Sequence, residues 1–269
     1  MHPRISLHQV AFMTHSTGSF ISHCRAIGVK HMTLVTPKLT APGELDAAVA
    51  QLRAGGTRVA TVNHMFAAFP TLASDDGRAA QKLTEAIDIA GTLGADTIYL
   101  LTGGRGTLDW EGAAQRFAQL IEPCVASARA RNVTLLVENA NSFNTDIHIA
   151  HTLADTIRLA RMADIGLCIE LHACWVEAGL ASLFRDAVPF TGLVQVSDYV
   201  LGDRTTPCRA VPGDGVIPLD RLIGDLLECG YAGLFDLELV GPRIAAEGAC
   251  AASTRAAERL SEILEKLGA

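Results

Sequence analysis

The chain has 269 residues, 49% of them hydrophobic and 19% charged, with a mean hydropathy of +0.26, which excludes a disordered chain and provides material for a sizeable core. Its 22 Lys and Arg against 29 Asp and Glu give a net charge of −7 without any basic run or stripe, so no nucleic-acid partner is expected. No window reaches the roughly eighteen uncharged apolar residues of a membrane span, and the first ten residues, MHPRISLHQV, lack a signal peptide's apolar core and cleavage site.

Seven cysteines stand singly at 24, 124, 168, 174, 208, 229 and 250, with no CxxC. That pattern reads as reduced thiols in a cytoplasmic protein. In chain order, short apolar runs alternate with longer stretches of helical period, eight times over. The predicted strands cover 4–10, 31–36, 58–64, 96–101, 133–138, 165–170, 192–197 and 233–239. Between the third and fourth, residues 75–94 carry a helical stripe of Ala79, Leu83, Ala86, Ile87 and Ala90, with Gly94 as the stop. Residues 109–132 open on an Asp cap and an acidic first turn and end in basic residues, as the helix dipole favours. His148 and His151 fall on the helix expected after the fifth strand, with an i, i+3 spacing that suits a solvated or dimer-facing role better than a metal.

Alternating units with nearly uninterrupted apolar strands imply a parallel sheet covered by helices. Eight such units suit a closed barrel, and no glycine fingerprint of an open dinucleotide-binding sheet follows the first strand. The expected fold is one domain, residues 1–269, a single (β/α)8 TIM barrel. In that architecture the active site lies where the strands end. Polar residues collect there: Asn63 and His64 on the third strand, Glu138 and Asn139 on the fifth, Glu170 and His172 on the sixth. The seventh carries Gln195, Ser197 and Asp198, and the eighth Asp236 and Glu238. Carboxylates on neighbouring strands repel unless protonated or bridged by a cation, and glutamate is a poor cap, so Glu138 and Glu238 together point to a site.

The segments LLVEN (135–139), VQVSDYVLGDRTTPCRAVPGDGVIPLDRLI (194–223) and YAGLFDLELVGPR (231–243) carry a resemblance to the sugar phosphate isomerase/epimerase family, the xylose-isomerase-like barrel group. The resemblance spans essentially the whole chain. It implies one divalent cation, Mn2+ or Mg2+, held by Glu138, Glu170, Gln195 and Glu238, with Glu138 and Glu238 also moving the substrate's proton. Gln195 stands where the family has a histidine, and its neutral amide is a weaker ligand for soft metals. Arg209 matches the family's loop arginine facing the substrate.

At the sixth strand the family has Asp-x-x-His, whereas this chain has Glu170, then His172 one residue early, Ala173, and Trp175 beyond. If the strand continues, Glu170 and His172 share a face; if the chain turns after 170, His172 swings away. His64, Arg105, Asn139, His172, Trp175 and Arg209 are the candidate substrate-side residues. Arg105 lies in TGGRG (102–106), which reads either as a plain loop or as a backbone cradle for a phosphate or sugar.

The resemblance implies an enzyme acting on a small carbohydrate-like substrate, an isomerase or epimerase working through an enediolate. A lyase on a keto-cyclitol, dehydroshikimate-like acid or oxidised glycoside shares the first half-reaction. A sugar-binding or partner-binding barrel without catalysis is the non-enzyme alternative. Homo-oligomers are common in the family.

Overall fold

The computed structural model describes residues 1–269. All eight predicted strands form: β1 (Ile5–His8), β2 (His31–Val35), β3 (Arg58–Ala67), β4 (Thr97–Gly103), β5 (Thr134–Glu138), β6 (Gly166–Glu170), β7 (Thr191–Val196) and β8 (Leu234–Leu237). They pair in parallel in chain order, and β8 closes on β1 through Ile5–Phe235, Ser6–Asp236 and Leu7–Leu237. The fold is a single closed (β/α)8 TIM barrel. β3 runs past its predicted end at His64 because Met65 and Ala67 still pair with Leu101 and Gly103 of β4.

Eleven α-helices wrap the sheet: α1 (Thr17–Ala26), α2 (Thr36–Leu39), α3 (Glu44–Arg53), α4 (Arg78–Leu93), α5 (Trp110–Ala130) and α6 (Leu153–Ala163), then α7 (Leu171–Cys174), α8 (Leu180–Ala187), α9 (Leu219–Glu228), α10 (Pro242–Glu247) and α11 (Ala249–Lys266). In α4 the stripe Ala79, Leu83, Ala86, Ile87 and Ala90 is buried against the sheet, where Leu83 and Ile87 each contribute about 1.5–3 kcal/mol. The helix starts at Arg78 rather than 75 because the Asp75 carboxylate accepts the Gly77 and Ala79 amides ahead of its first turn. Gly94 ends it at φ 67°, and Asp109 caps α5 by accepting the Gly112 amide at 2.8 Å. No helix is long and apolar enough to cross a membrane.

Side chains pointing out of the barrel join the helices in the main core, and those pointing in fill the barrel with a second, small apolar layer of Tyr99, Leu136, Cys168 and Leu193. Above it, register places Glu170, Gln195 and Asp236 side by side, with Glu138 one step lower, opposite Cys168. The interior therefore changes from apolar to acidic toward the C-terminal ends of the strands.

The helix expected to carry His148 and His151 begins only at Leu153, where Thr152 caps it by accepting the Asp155 amide. His148 instead sits in the buried loop after β5, its Nδ1 accepting the Thr102 amide at 3.0 Å. Its Nε2 donates to the Glu138 carbonyl at 2.7 Å, so it fastens the end of β5 to β4.

Candidate active site at the C-terminal mouth

A cavity of about 280 Å3 opens at the C-terminal end of the barrel, lined by Glu138, His172, Arg209 and Glu238 together with His8, Asn63 and Tyr99. Three larger grooves lie outside the barrel, two on the helical exterior and one between α2, β3 and α4, and none of them collects buried acids. The mouth contains the one concentration of buried acids.

Glu170 ends β6 and is almost fully buried. Its main chain is held by Asn139, whose Nδ2 donates to the Glu170 carbonyl and whose Oδ1 accepts the Glu170 amide, both at 2.9 Å. The chain does turn after Glu170, into α7, and the Glu170 carboxylate accepts the His172 amide at 3.0 Å. His172 nevertheless stays in the cavity wall, edge-on to Tyr199, with neither ring nitrogen hydrogen-bonded. Burial and the nearby Arg209 charge push its pKa down to about 3, so the ring is neutral.

Arg209 bridges the acids: Nη1 donates to Glu170 at 3.1 Å and Nη2 lies 2.5 Å from Glu238. The loop carrying it is organised by Asp198, whose Oδ2 accepts the Gly213 and Gly215 amides and whose Oδ1 accepts those of Tyr199 and Ile217. An antiparallel bridge between Asp198 and Ala210 then fixes the neighbouring Arg209 against the barrel mouth. The PGDG segment (212–215) is thus a turn that sets Arg209.

Three carboxylates face one guanidinium, and they share it unequally. Burial and then repulsion from Glu238 and Glu170 hold the Glu138 carboxyl well above the usual carboxylate range. Glu170 is raised to about 7, chiefly by burial, which Arg209 only partly offsets. Glu238 is also buried, but the Arg209 guanidinium beside it outweighs that cost and holds it below its ordinary value. Two neighbouring glutamates are thereby pushed in opposite directions.

Glu138, Glu170, Gln195 and Glu238 come from the ends of four consecutive strands, and their carboxylate and amide oxygens are hard donors of the kind Mg2+ and Mn2+ take. The surplus of buried negative charge is what a divalent ion relieves, so the donor chemistry fits. As arranged, no three His, Cys, Asp or Glu side chains converge as a metal site. Arg209 lies between Glu170 and Glu238, and Gln195 Oε1 accepts the Cys168 thiol at 3.3 Å. A divalent ion held by these four residues would supply the positive charge that Arg209 supplies here.

Four expected substrate-side residues lie outside the cavity. His64 is on the outer face of β3, bonded to Thr36 Oγ1 at 3.2 Å, because alternation turns its neighbours Asn63 and Met65 inward instead. Asn139 is spent on the Glu170 backbone. Trp175 packs against Tyr199 behind the wall, ring centroids 6.3 Å apart. Arg105 is exposed on the β4 loop. The glycines around it serve close packing rather than a cradle: a Cβ on Gly103 would lie 1.9 Å from the Ala67 carbonyl oxygen, and one on Gly104 2.3 Å from that of Asp146.

Polar cavity residues that the sequence alone did not single out include His8, Tyr99, Asn141 and Asn144; for the first two a signal existed. Strand parity was the available signal, since Tyr99 lies two residues beyond inward-facing Thr97 and His8 two beyond Ser6.

Solved structures of similar fold are numerous. Protein SMc04130 from Sinorhizobium meliloti 1021 is 21% identical, with 97% of this chain and 98% of that one covered and a TM-score of 0.87. The IolI protein with a binding zinc atom is 14% identical over 98% and 99% of the two chains, TM-score 0.83. D-psicose 3-epimerase with D-tagatose from Clostridium cellulolyticum H10 is 16% identical over 98% and 99%, TM-score 0.79. At these identities the likeness is one of fold. No curated protein matches the chain by sequence. The profile of a family described as xylose isomerase-like TIM barrel matches residues 21–267, and with nearly the whole barrel covered, the chain belongs to that family.

Proposed function

We propose that the chain is an isomerase or epimerase that moves a proton between carbons of a small keto-sugar, polyol or related carbohydrate. The observation that carries this reading is the opposed pair of glutamates in one cavity. Carboxyls whose surroundings drive their pKa values apart divide into a base and an acid. Glu238, kept ionised by Arg209, takes the proton from a C–H beside a carbonyl; Glu138, kept protonated by burial, returns one elsewhere on the same skeleton.

The electron pair released by the C–H bond moves into an enediolate, whose negative charge faces the Arg209 guanidinium. Asn63, Asn141 and Asn144 line the same cavity and offer amide donors and acceptors to hydroxyls. Neutral His172 adds part of the wall against which the substrate packs. Glu170, the Gln195 amide oxygen, Glu238 and the unprotonated oxygen of Glu138 would hold a Mn2+ or Mg2+ ion, whose chemistry there is to polarise the carbonyl and its neighbouring hydroxyl. The fold neighbours named as a zinc-binding protein and a sugar epimerase support this reading.

The test is solvent-deuterium incorporation into a panel of keto-sugars and cyclitols, followed by NMR, with Mn2+ or Mg2+ supplied and the bound metal measured. Exchange by the wild type that is lost in both Glu138→Gln and Glu238→Gln is the expected result. Metal-free protein with no exchange on any compound would sink the enzyme reading. Exchange accompanied by an elimination product would make the chain a lyase.

A further inference from the structure

We propose that His8 and Tyr99 form a hydrogen-bond relay that orients the Glu238 carboxylate, making Tyr99 a positioning residue for proton transfer. The catalytic part rests on the function proposed above; the relay itself rests on three contacts that join β1, β4 and the end of β8.

His8 is the last residue of β1 and caps the short 3-10 turn Gln9–Phe12, its Nδ1 accepting the Val10 amide at 2.9 Å. A ring nitrogen that accepts carries no hydrogen, so the neutral ring must hold its proton on Nε2. That nitrogen lies 2.7 Å from Tyr99 Oη. The phenol oxygen therefore accepts from His8, and its own hydrogen is left to donate elsewhere. Glu238 Oε1, at 3.5 Å, is the acceptor within reach. Catalytic hydrogen bonds are commonly long before substrate excludes water, and this one has room to tighten.

The direction of the relay is thus set by a backbone amide at its far end. Tyr99 is buried and its ring packs in the interior layer with Leu136, Cys168 and Leu193, so the phenol cannot swing away. At the other oxygen, Glu238 Oε2 meets Arg209. A carboxylate held at one oxygen can still rotate. With the Tyr99 hydroxyl directed at one oxygen and the Arg209 charge against the other, it presents one fixed edge to the cavity, the preorganisation that proton abstraction needs.

Tyr99→Phe removes one hydroxyl and keeps the ring in its layer; His8→Leu removes the other partner. The first measurement needs no substrate: NMR of the histidine ring nitrogens and their protons. It should show His8 as the Nε2–H tautomer, with a protected downfield proton that shifts upfield and exchanges faster in Tyr99→Phe. An Nδ1–H tautomer, or a proton indifferent to Tyr99→Phe, would overturn the relay whether or not the protein turns anything over.

The second measurement uses whichever compound the deuterium screen identifies. Each variant should lower kcat roughly 10- to 100-fold with KM within about twofold, and the double variant should be no slower than the worse single. Unchanged kcat, or losses that multiply, would show that the two residues do not act through one chain. If the wild type exchanges nothing, the proposed function has failed, and the NMR result alone decides the relay.

Discussion

His148→Gln isolates the contribution of one buried ring to the anchoring of β5. The ring accepts the Thr102 amide on Nδ1 and donates to the Glu138 carbonyl from Nε2, and a glutamine amide can in principle reproduce both bonds without titrating. Burial, with a smaller effect of His151, pushes the His148 pKa down to about 3. The unfolded chain has the ordinary value of about 6.5. Between those values the unfolded chain binds a proton that the folded chain refuses. The stabilising contribution is therefore complete above pH ~6.5 and falls with pH by about 1.4 kcal/mol per unit, reaching about 2 kcal/mol lost at pH ~5. The other buried groups titrate in both proteins and largely cancel in the difference. Urea unfolding of wild type and variant, followed by circular dichroism across pH ~7.5 to ~5, should show the wild type's advantage shrinking by about 2 kcal/mol. A difference that stays flat, or that grows on acidification, would refute the account of His148 as a neutral, amide-accepting clamp.

Two further outcomes follow from the geometry. Gly103→Ala sets a Cβ 1.9 Å from the Ala67 carbonyl oxygen at a φ of +92°, so urea unfolding should show a loss above about 2 kcal/mol, or soluble protein should not be recovered. Arg209→Gln leaves Glu170 and Glu238 buried without their counter-charge. It should cost about 3–5 kcal/mol at neutral pH, and thermal unfolding should show Mn2+ stabilising the variant more than the wild type.

The barrel was legible because each of its units is a local pattern. The apolar runs that became β1 to β8 and the stripe on α4 need only strand and helix periods to be read, and the carboxylates that close β5 and β6 are visible in the runs themselves. Parity within β1, β3 and β4 was equally legible: it separates outward His64 from inward Asn63 and turns Tyr99 and His8 inward. Asn139 looked like a substrate ligand because it follows Glu138, but its partner is the backbone of Glu170 on the next strand. His148 kept its helical reading because nothing in its own segment reveals the Thr102 amide that claims its ring.

Sequence by itself determined the eight-fold alternation, the acidic character of the strand ends and the family. Tertiary structure decided which acids share a charge and which way each is driven. Arg209 reaches Glu170 across 39 residues, His8 meets Tyr99 across 91, and Tyr99 meets Glu238 across 139. Those meetings depend on barrel register and on the loop that Asp198 folds. The protonation of Glu138, Glu170 and Glu238 depends further on how deeply each is withdrawn from water. Desolvation and charge pairing belong to the assembled barrel, and no single strand carries them in its own sequence.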